Sequence, residues 1–182
     1  MRVLGIDPGS RKTGYGVIER RGNLDTALAW GQITASPRLD LAHRLHAMAE
    51  RAGALMDEWK PDCVAVEEAF YHESVRSTLV LGHVRGALLV AAVARGFAVA
   101  EYTPRAIKLA VTGSGASTKE QVAFMVRRLV GVHGALTNDA SDGIAVALCH
   151  LHRAGRIPQR RAASAAASKL EALLLRRGVK TS

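Results

Sequence analysis

The order in which short apolar runs and helical periods follow one another most constrains the fold of this chain. Five runs have the length and composition of strands: Val3–Ile6, Thr13–Ile18, Ala27–Ile33, Cys63–Val66 and Phe97–Tyr102. The dipeptide Gly22-Asn23 between the second and third runs is typical of a hairpin connection, so the first three runs predict a meander. The later runs alternate with helical segments, as in sheets that contain parallel strands. The sequence therefore predicts an α/β fold with a five-stranded mixed sheet flanked by helices.

Helical segments fill most of the chain between and after the last two strands. The predicted helices are Leu39–Trp59, Ser77–Ala94, a short one near Pro104–Ala110, Thr118–Val130 and about Asp139–Ala154. The second of them, Ser77–Ala94, is rich in alanine and apolar nearly all round. We therefore expect this helix to be covered on two sides.

The charge of the chain predicts a polyanionic partner. There are 25 Lys and Arg against 16 Asp and Glu, which gives a formal charge of +9 and a pI near 10.3. Nucleic acid and an anionic membrane surface are the two partners that such a charge favours. The longest unbroken apolar run, Ala87–Ala94, is far shorter than the ~18–20 residues that span a bilayer. Nucleic acid is the stronger prediction, and no membrane is expected.

The expected location is the cytoplasm. The first residues, Met1 to Asp7, reach a carboxylate after a few apolar positions and do not resemble a signal peptide. The only two cysteines, Cys63 and Cys149, have no zinc-like spacing and are predicted to be reduced and buried as small apolar side chains.

A basic segment follows the predicted globular part. Residues 156–182 contain seven Lys or Arg and one Glu, with an Ala-rich stretch between the charges. We interpret residues 1–155 as one domain and 156–182 as a flexible basic tail, partly helical from Ser168 to Arg177. A solvated tail is a simpler interpretation than a dedicated binding element.

Four acidic residues stand where acids are unusual. Asp7 ends the first strand run, Glu67 follows the fourth, and Asp139 and Asp142 lie three residues apart at the start of the last helix. Two of them have an ordinary alternative: Asp7 could cap a turn and Asp139 could be a helix N-cap. Local spacing also does not decide whether Glu67 or Glu68 faces the others.

Converging carboxylates repel one another unless a cation neutralises them. Hard divalent ions such as Mg²⁺ or Mn²⁺ take oxygen ligands, and a pair of them can stabilise both the attacking and the leaving oxygen of a phosphodiester.

A series of short motifs follows in order from about Val3 to His152. They are Leu4-Gly5-Ile6-Asp7-Pro8-Gly9-Ser10, Thr13-Gly14-Tyr15-Gly16, Val66-Glu67-Glu68-Ala69-Phe70, Leu81-Gly82, Arg85-Gly86, Glu101-Tyr102-Thr103-Pro104, Lys108, Gly113-Ser114-Gly115-Ala116 with Lys119 and Gln121-Val122, and Asp139-Ala140-Ser141-Asp142. In order and wording these motifs resemble those of the RuvC-type Holliday-junction resolvases. An ordered set of this kind is far more specific than any one of its motifs. His83 and Val80 depart from it, since the family often has Gln and Lys there, which affects details of DNA contact.

The resemblance implies an RNase H-like fold, a homodimer and metal-dependent paired nicking of four-way DNA junctions in recombination and repair. The nicks are expected to leave 5′-phosphate and 3′-hydroxyl ends. The resemblance also implies that Asp7, Glu67, Asp139 and Asp142 are the catalytic, metal-binding carboxylates, with two Mg²⁺ per subunit and Mn²⁺ as a substitute. The motif places its ligand three residues before the aromatic Phe70, which selects Glu67 over Glu68. A branch-migration motor is a candidate partner.

Four further residues are candidates for DNA contact. In the family pattern an aromatic at Phe70 stacks on an unpaired base, whereas a lone Phe is more often part of a core. Arg76, Lys108 and Lys119 are candidate phosphate contacts. A solvated surface position is the alternative for Arg76 and Lys108, whereas Lys119 lies in the matched Gly-rich stretch.

Two other classes of protein fit parts of the sequence. The segment Gly5-Ile6-Asp7-Pro8-Gly9 is similar to the first phosphate loop of actin-like ATPases and sugar kinases, but 182 residues leave no room for their second lobe. A non-catalytic junction-binding protein would have no use for four clustered carboxylates.

Overall fold

The computed structural model describes residues 1–68, 74–132 and 134–154. The strands are β1 (Arg2–Asp7), β2 (Lys12–Arg21), β3 (Leu24–Thr34), β4 (Cys63–Glu67) and β5 (Ala98–Tyr102), and the helices are α1 (Leu41–Trp59), α2 (Val75–Ala94), α3 (Pro104–Thr112), α4 (Lys119–Val130) and α5 (Asn138–Ala154). The five predicted strands and the five helices predicted before residue 155 are present in the predicted order, and the differences are at element ends. The predicted tail 156–182 lies outside the described residues.

The five strands form one mixed sheet in the order β3-β2-β1-β4-β5. The first three strands pair antiparallel, and Gly22, with a φ of 59°, takes part in the two-residue turn between β2 and β3. The strand β4 pairs parallel with β1 on one side and with β5 on the other. The predicted five-stranded mixed sheet is confirmed, and the parallel pairing brings the ends of β1 and β4 to the same edge.

Helices cover both faces of the sheet, because alternate residues of the strands point to opposite sides. On one face Val3, Ile18 and Ala65 form a core cluster with residues of α3, α4 and α5. On the other face Leu4, Ile6, Val17 and Val64 form a second cluster with residues of α1 and α2. The start of α5 consequently lies over β1 and β2.

The first residues of two helices differ from their predicted positions, because polar capping residues determine where these helices begin. The Asp40 side chain accepts a hydrogen bond from the His43 backbone N–H, so α1 begins at Leu41 and not at Leu39. The Ser74 side chain accepts from the backbone N–H of Ser77 in the same way, so α2 begins at Val75.

Among the described residues, helix α2 is covered on one side only. Its residues Val84, Leu88 and Ala92 are buried in the core cluster, whereas Val90 and Val93 are 69% and 65% exposed. The described part of the chain therefore does not provide the expected cover on two sides. Among the described residues, α2 is the one helix whose length and composition would allow it to cross a membrane. The sequence analysis did not identify it, because its longest unbroken apolar run is short.

Both cysteines are free and buried, as predicted. Burial raises the pKa of Cys63 to about 12 and that of Cys149 to about 11. Both thiols are therefore protonated at neutral pH and act as small apolar side chains.

Candidate active site

Asp7 and Glu67 meet at the ends of two adjacent parallel strands. Ile6 of β1 pairs with Val66 of β4, so the next residue on each strand emerges at the same edge. The two carboxyl groups are hydrogen-bonded to each other. Glu67, the last residue of β4, is thus the acid that faces Asp7, which agrees with the motif match and resolves the choice that local spacing left open.

The first turn of α5 brings two more carboxylates to this edge. Thr137 Oγ1 accepts from the backbone N–H of Ala140, and α5 begins at Asn138. Asp139 therefore lies within the first turn, and its interpretation as the N-cap is wrong. The charges of Asp139 and Asp142 both act on Asp7.

Glycines beneath α5 allow this approach. A Cβ atom on Gly14 of β2 would lie 1.8 Å from the carbonyl oxygen of Asp139, and one on Gly5 of β1 would lie 2.2 Å from that of Gly143. No larger residue fits at these positions without moving backbone. The helix α5 therefore rests directly on the backbone of β1 and β2, which sets its two acids beside Asp7.

Burial makes the cluster hard to ionise. It raises the pKa of Asp7 to about 6, and the charge of Asp142 acts in the same direction. Burial, followed by the charge of Asp7, raises the pKa of Glu67 to about 9. Burial also raises the pKa of Asp142, against the charge of Lys119, which lowers it. The cluster therefore holds a proton at neutral pH unless other positive charge is supplied.

The donor chemistry of the cluster fits a hard divalent cation. All four side chains offer carboxylate oxygens, the ligands that Mg²⁺ and Mn²⁺ take, and a cation can replace the proton that Asp7 and Glu67 share. Within the residues that the structure describes, no group of three possible ligands is already spaced to hold a metal ion. One oxygen of Asp139 is engaged with a neighbouring amide.

That neighbouring amide belongs to Gln32. Its Nε2 donates to Asp139 Oδ2 at 2.6 Å, although the two residues are 107 positions apart. Sequence reasoning did not single out Gln32, because it lies mid-strand and no local motif marks it. The signal exists only in the strand pairing, where Gly14 lies opposite both Asp7 and Gln32.

The predicted DNA contacts lie on different elements. Lys119 begins α4 and places its Nζ 3.9 Å from Asp142 Oδ2, with a side chain that is 79% exposed. Arg76 is exposed on the first turn of α2 and Lys108 is half-buried on α3. In the described part of the chain neither of these two forms an ion pair with the four carboxylates. Phe70 lies outside the described residues.

The N-terminus of α4 is held by a reciprocal cap. The Thr118 side chain accepts from the Gln121 backbone N–H, while the Gln121 side chain accepts from that of Thr118. This cap fixes the position of Lys119, the next residue after Thr118.

The sequence is similar to one protein family over most of its length. A family model described as crossover junction endodeoxyribonuclease RuvC matches residues 3–150. The protein of that name from Geobacter sulfurreducens is 46% identical over 154 residues, which cover 85% of this chain and 94% of that protein. The one from Caulobacter vibrioides is 43% identical over 162 residues, with 89% and 95% covered.

Solved structures are similar in fold. RuvC of T. thermophilus in complex with a Holliday junction substrate superposes with a TM-score of 0.80 at 33% identity, covering 85% of this chain and 94% of that one. The yeast mitochondrial Holliday junction resolvase Ydc2 gives a TM-score of 0.64 at 14% identity, over 83% of this chain and 79% of that one, and supports the fold alone. The RNase H-like architecture expected from the sequence is confirmed.

Proposed function

This chain belongs to the family of RuvC crossover junction endodeoxyribonucleases, and we propose that it resolves four-way DNA junctions by metal-dependent hydrolysis of one phosphodiester in each of two strands. The observation that carries the proposal is the convergence of Asp7, Glu67, Asp139 and Asp142 at one edge of the sheet. The relative that was solved with a Holliday junction substrate supports the choice of DNA.

The four carboxylates would hold the metal, and we propose two Mg²⁺ per subunit with Mn²⁺ as a substitute. When bound, these ions supply positive charge that stabilises the attacking and leaving oxygens of the phosphodiester. The residues of the chain fix where that charge sits: Asp7 and Glu67 from the sheet, Asp139 and Asp142 from α5. In the reaction a water oxygen bonds to phosphorus with loss of a proton, the bond to the 3′ oxygen breaks, and that oxygen takes up a proton. The products are a 5′-phosphate and a 3′-hydroxyl.

Contact with DNA is assigned to Phe70, Arg76, Lys108 and Lys119. The proximity of Lys119 to Asp142 supports this role for Lys119, because a phosphate held by the metal would lie beside its ammonium group. The overall charge of +9 favours a polyanion and makes affinity dependent on salt.

The proposed active unit is a homodimer joined through α2. Two equivalent cuts need two sites, and a symmetric dimer supplies them. The apolar outer face of α2, with Val90 and Val93 exposed, is a surface that a second copy of the chain would bury.

In the cell, we place this activity in the cytoplasm, in homologous recombination and DNA repair. A branch-migration motor is the partner that would bring the junction to the cleavage site.

Strand nicking of a synthetic four-way junction tests the function, with a linear duplex of the same sequence alongside. We expect paired nicks at symmetric positions in the junction with Mg²⁺ or Mn²⁺, and none with EDTA. Asp7→Asn should lower the rate by more than about 100-fold, the upper range for changes to outer-shell metal partners, while junction binding persists.

Glu68→Gln is the matched control, because Glu68 follows the cluster in sequence and takes no part in it. Its nicking rate should stay within about two-fold of the wild type, because the substitution leaves the four carboxylates unchanged. Wild-type rates for Asp7→Asn would show that the site is elsewhere, and binding without any cutting in either metal would show a junction-binding protein.

A further inference from the structure

Gln32 contacts the active-site cluster from the side opposite Asp7. It lies on β3, two strands away from Asp7, and its Nε2 donates a 2.6 Å hydrogen bond to Asp139 Oδ2. An ionised carboxylate only accepts hydrogen bonds, so the amide nitrogen is the donor. The contact is partly buried, which strengthens it relative to a contact in water.

The strand register explains how a mid-strand glutamine reaches an acid on α5. Asp7, Gly14 and Gln32 lie side by side on β1, β2 and β3, so their side-chain positions share one face of the sheet. The middle position is a glycine, over which the backbone of Asp139 rests. Asp139 therefore lies between Asp7 and Gln32, with the amide on its outer side.

An amide group is well suited to orient the Asp139 carboxylate. A metal ligand on a helix end is free to rotate unless one of its oxygens is fixed, and ligating carboxylates are commonly held by such outer-shell hydrogen bonds. The Gln32 amide fixes Oδ2 and leaves Oδ1 of Asp139 without that bond. Because the amide is neutral, it adds no charge that would oppose a cation, in contrast to the ammonium of Lys119 beside Asp142.

We propose that Gln32 is a positioning residue for the metal site, which orients the Asp139 carboxylate through its Nε2 hydrogen bond and so strengthens cation binding. The inference rests on the metal dependence proposed above. It concerns binding of the ion, and therefore it can be measured without DNA and without turnover.

The test compares Gln32→Met and Gln32→Asn with the wild-type protein. Methionine keeps the approximate length but has no N–H donor, and asparagine keeps the amide but is one methylene too short to reach Asp139. Thr26→Val is the matched control, an exposed position on the same strand. Binding of Mn²⁺ is followed by the EPR signal of the free ion, and by the melting temperature as a function of Mn²⁺ concentration.

We expect both Gln32 variants to bind Mn²⁺ about 10- to 100-fold more weakly than the wild type, the range for lost outer-shell partners, and Thr26→Val to match the wild type. A residue with only a structural role would lower the melting temperature equally at every Mn²⁺ concentration and leave the binding midpoint in place. An unchanged midpoint in both Gln32 variants, with a wild type that binds Mn²⁺ and nicks junctions, would overturn the inference alone. A wild type that binds no Mn²⁺ would instead overturn the proposed metal dependence.

Discussion

At Glu67, burial and the neighbouring carboxylate of Asp7 both oppose ionisation. The folded pKa of about 9 lies above the ordinary value of 4.5, so the folded chain keeps a proton that the unfolded chain releases. Below pH 4.5 the Glu67 carboxyl group is protonated in both the folded and the unfolded chain. Its ionisation then has no effect on the free energy of unfolding. As the pH rises from 4.5 towards 9, the free energy of unfolding of the metal-free protein falls.

Glu67→Gln should therefore stabilise the protein in EDTA at pH 8. The amide donates to Asp7 as the protonated Glu67 does, and it has no proton to release. We expect the melting temperature to rise by about 2–4 °C, equivalent to roughly 1 kcal/mol for a chain of this size. The advantage should vanish near pH 4, and calorimetry at the two pH values measures both quantities.

With Mg²⁺ in place of EDTA, the wild type should become more stable than Glu67→Gln. The wild type gains stability by binding the ion, whereas the variant has lost a ligand and gains little. A Glu67→Gln protein that is less stable than the wild type in EDTA at pH 8 would contradict the assigned electrostatics, and Glu68→Gln provides the comparison without a change in the cluster.

At the scale of elements, the packing of α5 on β1 and β2 determines where Asp139 and Asp142 lie in the active site. Gly14→Ala would place a Cβ atom against the backbone of Asp139, at a separation that no rotamer change relieves. We expect a loss of about 1–3 kcal/mol in the free energy of unfolding, as for other overpacked positions, and a large loss of nicking because Asp139 is displaced. Urea denaturation and the junction assay measure these effects.

Gly31→Ala is the matched control for that prediction. A Cβ there would meet the ring of Tyr15 at 3.1 Å, and a side chain can shift where backbone cannot. Its effect on nicking should be much smaller. Equal losses in the two variants would show that strand glycines matter in general and that the support beneath Asp139 has no special role.

At the scale of the whole molecule, the outer face of α2 predicts how two chains assemble. Val90→Glu would place a charge in the proposed interface and should convert a dimer into a monomer of 19.4 kDa, seen by light scattering after gel filtration. Paired nicks should then become single, unpaired nicks. Leu24→Glu is the control for the effect of a new surface charge, because Leu24 is 66% exposed and lies beside the β2–β3 turn. If the Val90→Glu protein is still a dimer, the interface lies elsewhere.

The sequence by itself determined the elements of this protein, their order and the family to which it belongs. Local signals are sufficient for the elements, because apolar periods and the Gly22-Asn23 turn act between near neighbours along the chain. The family was identified from the ordered motifs. The four acids were also found from the sequence, through strand ends and the ordered motifs. Helix starts were less well placed, because the caps Asp40 and Ser74 each put the start two residues from its predicted position.

Tertiary structure alone decided the contacts between residues distant in sequence. The pairing of three strands places Gln32 beside Asp139, and no pattern near residue 32 indicates it. The same applies to the raised pKa of Glu67, which depends on burial and on the approach of Asp7 from another strand. The uncovered face of α2 is a third case, since composition describes how apolar a helix is, while only packing decides which of its sides meets the core.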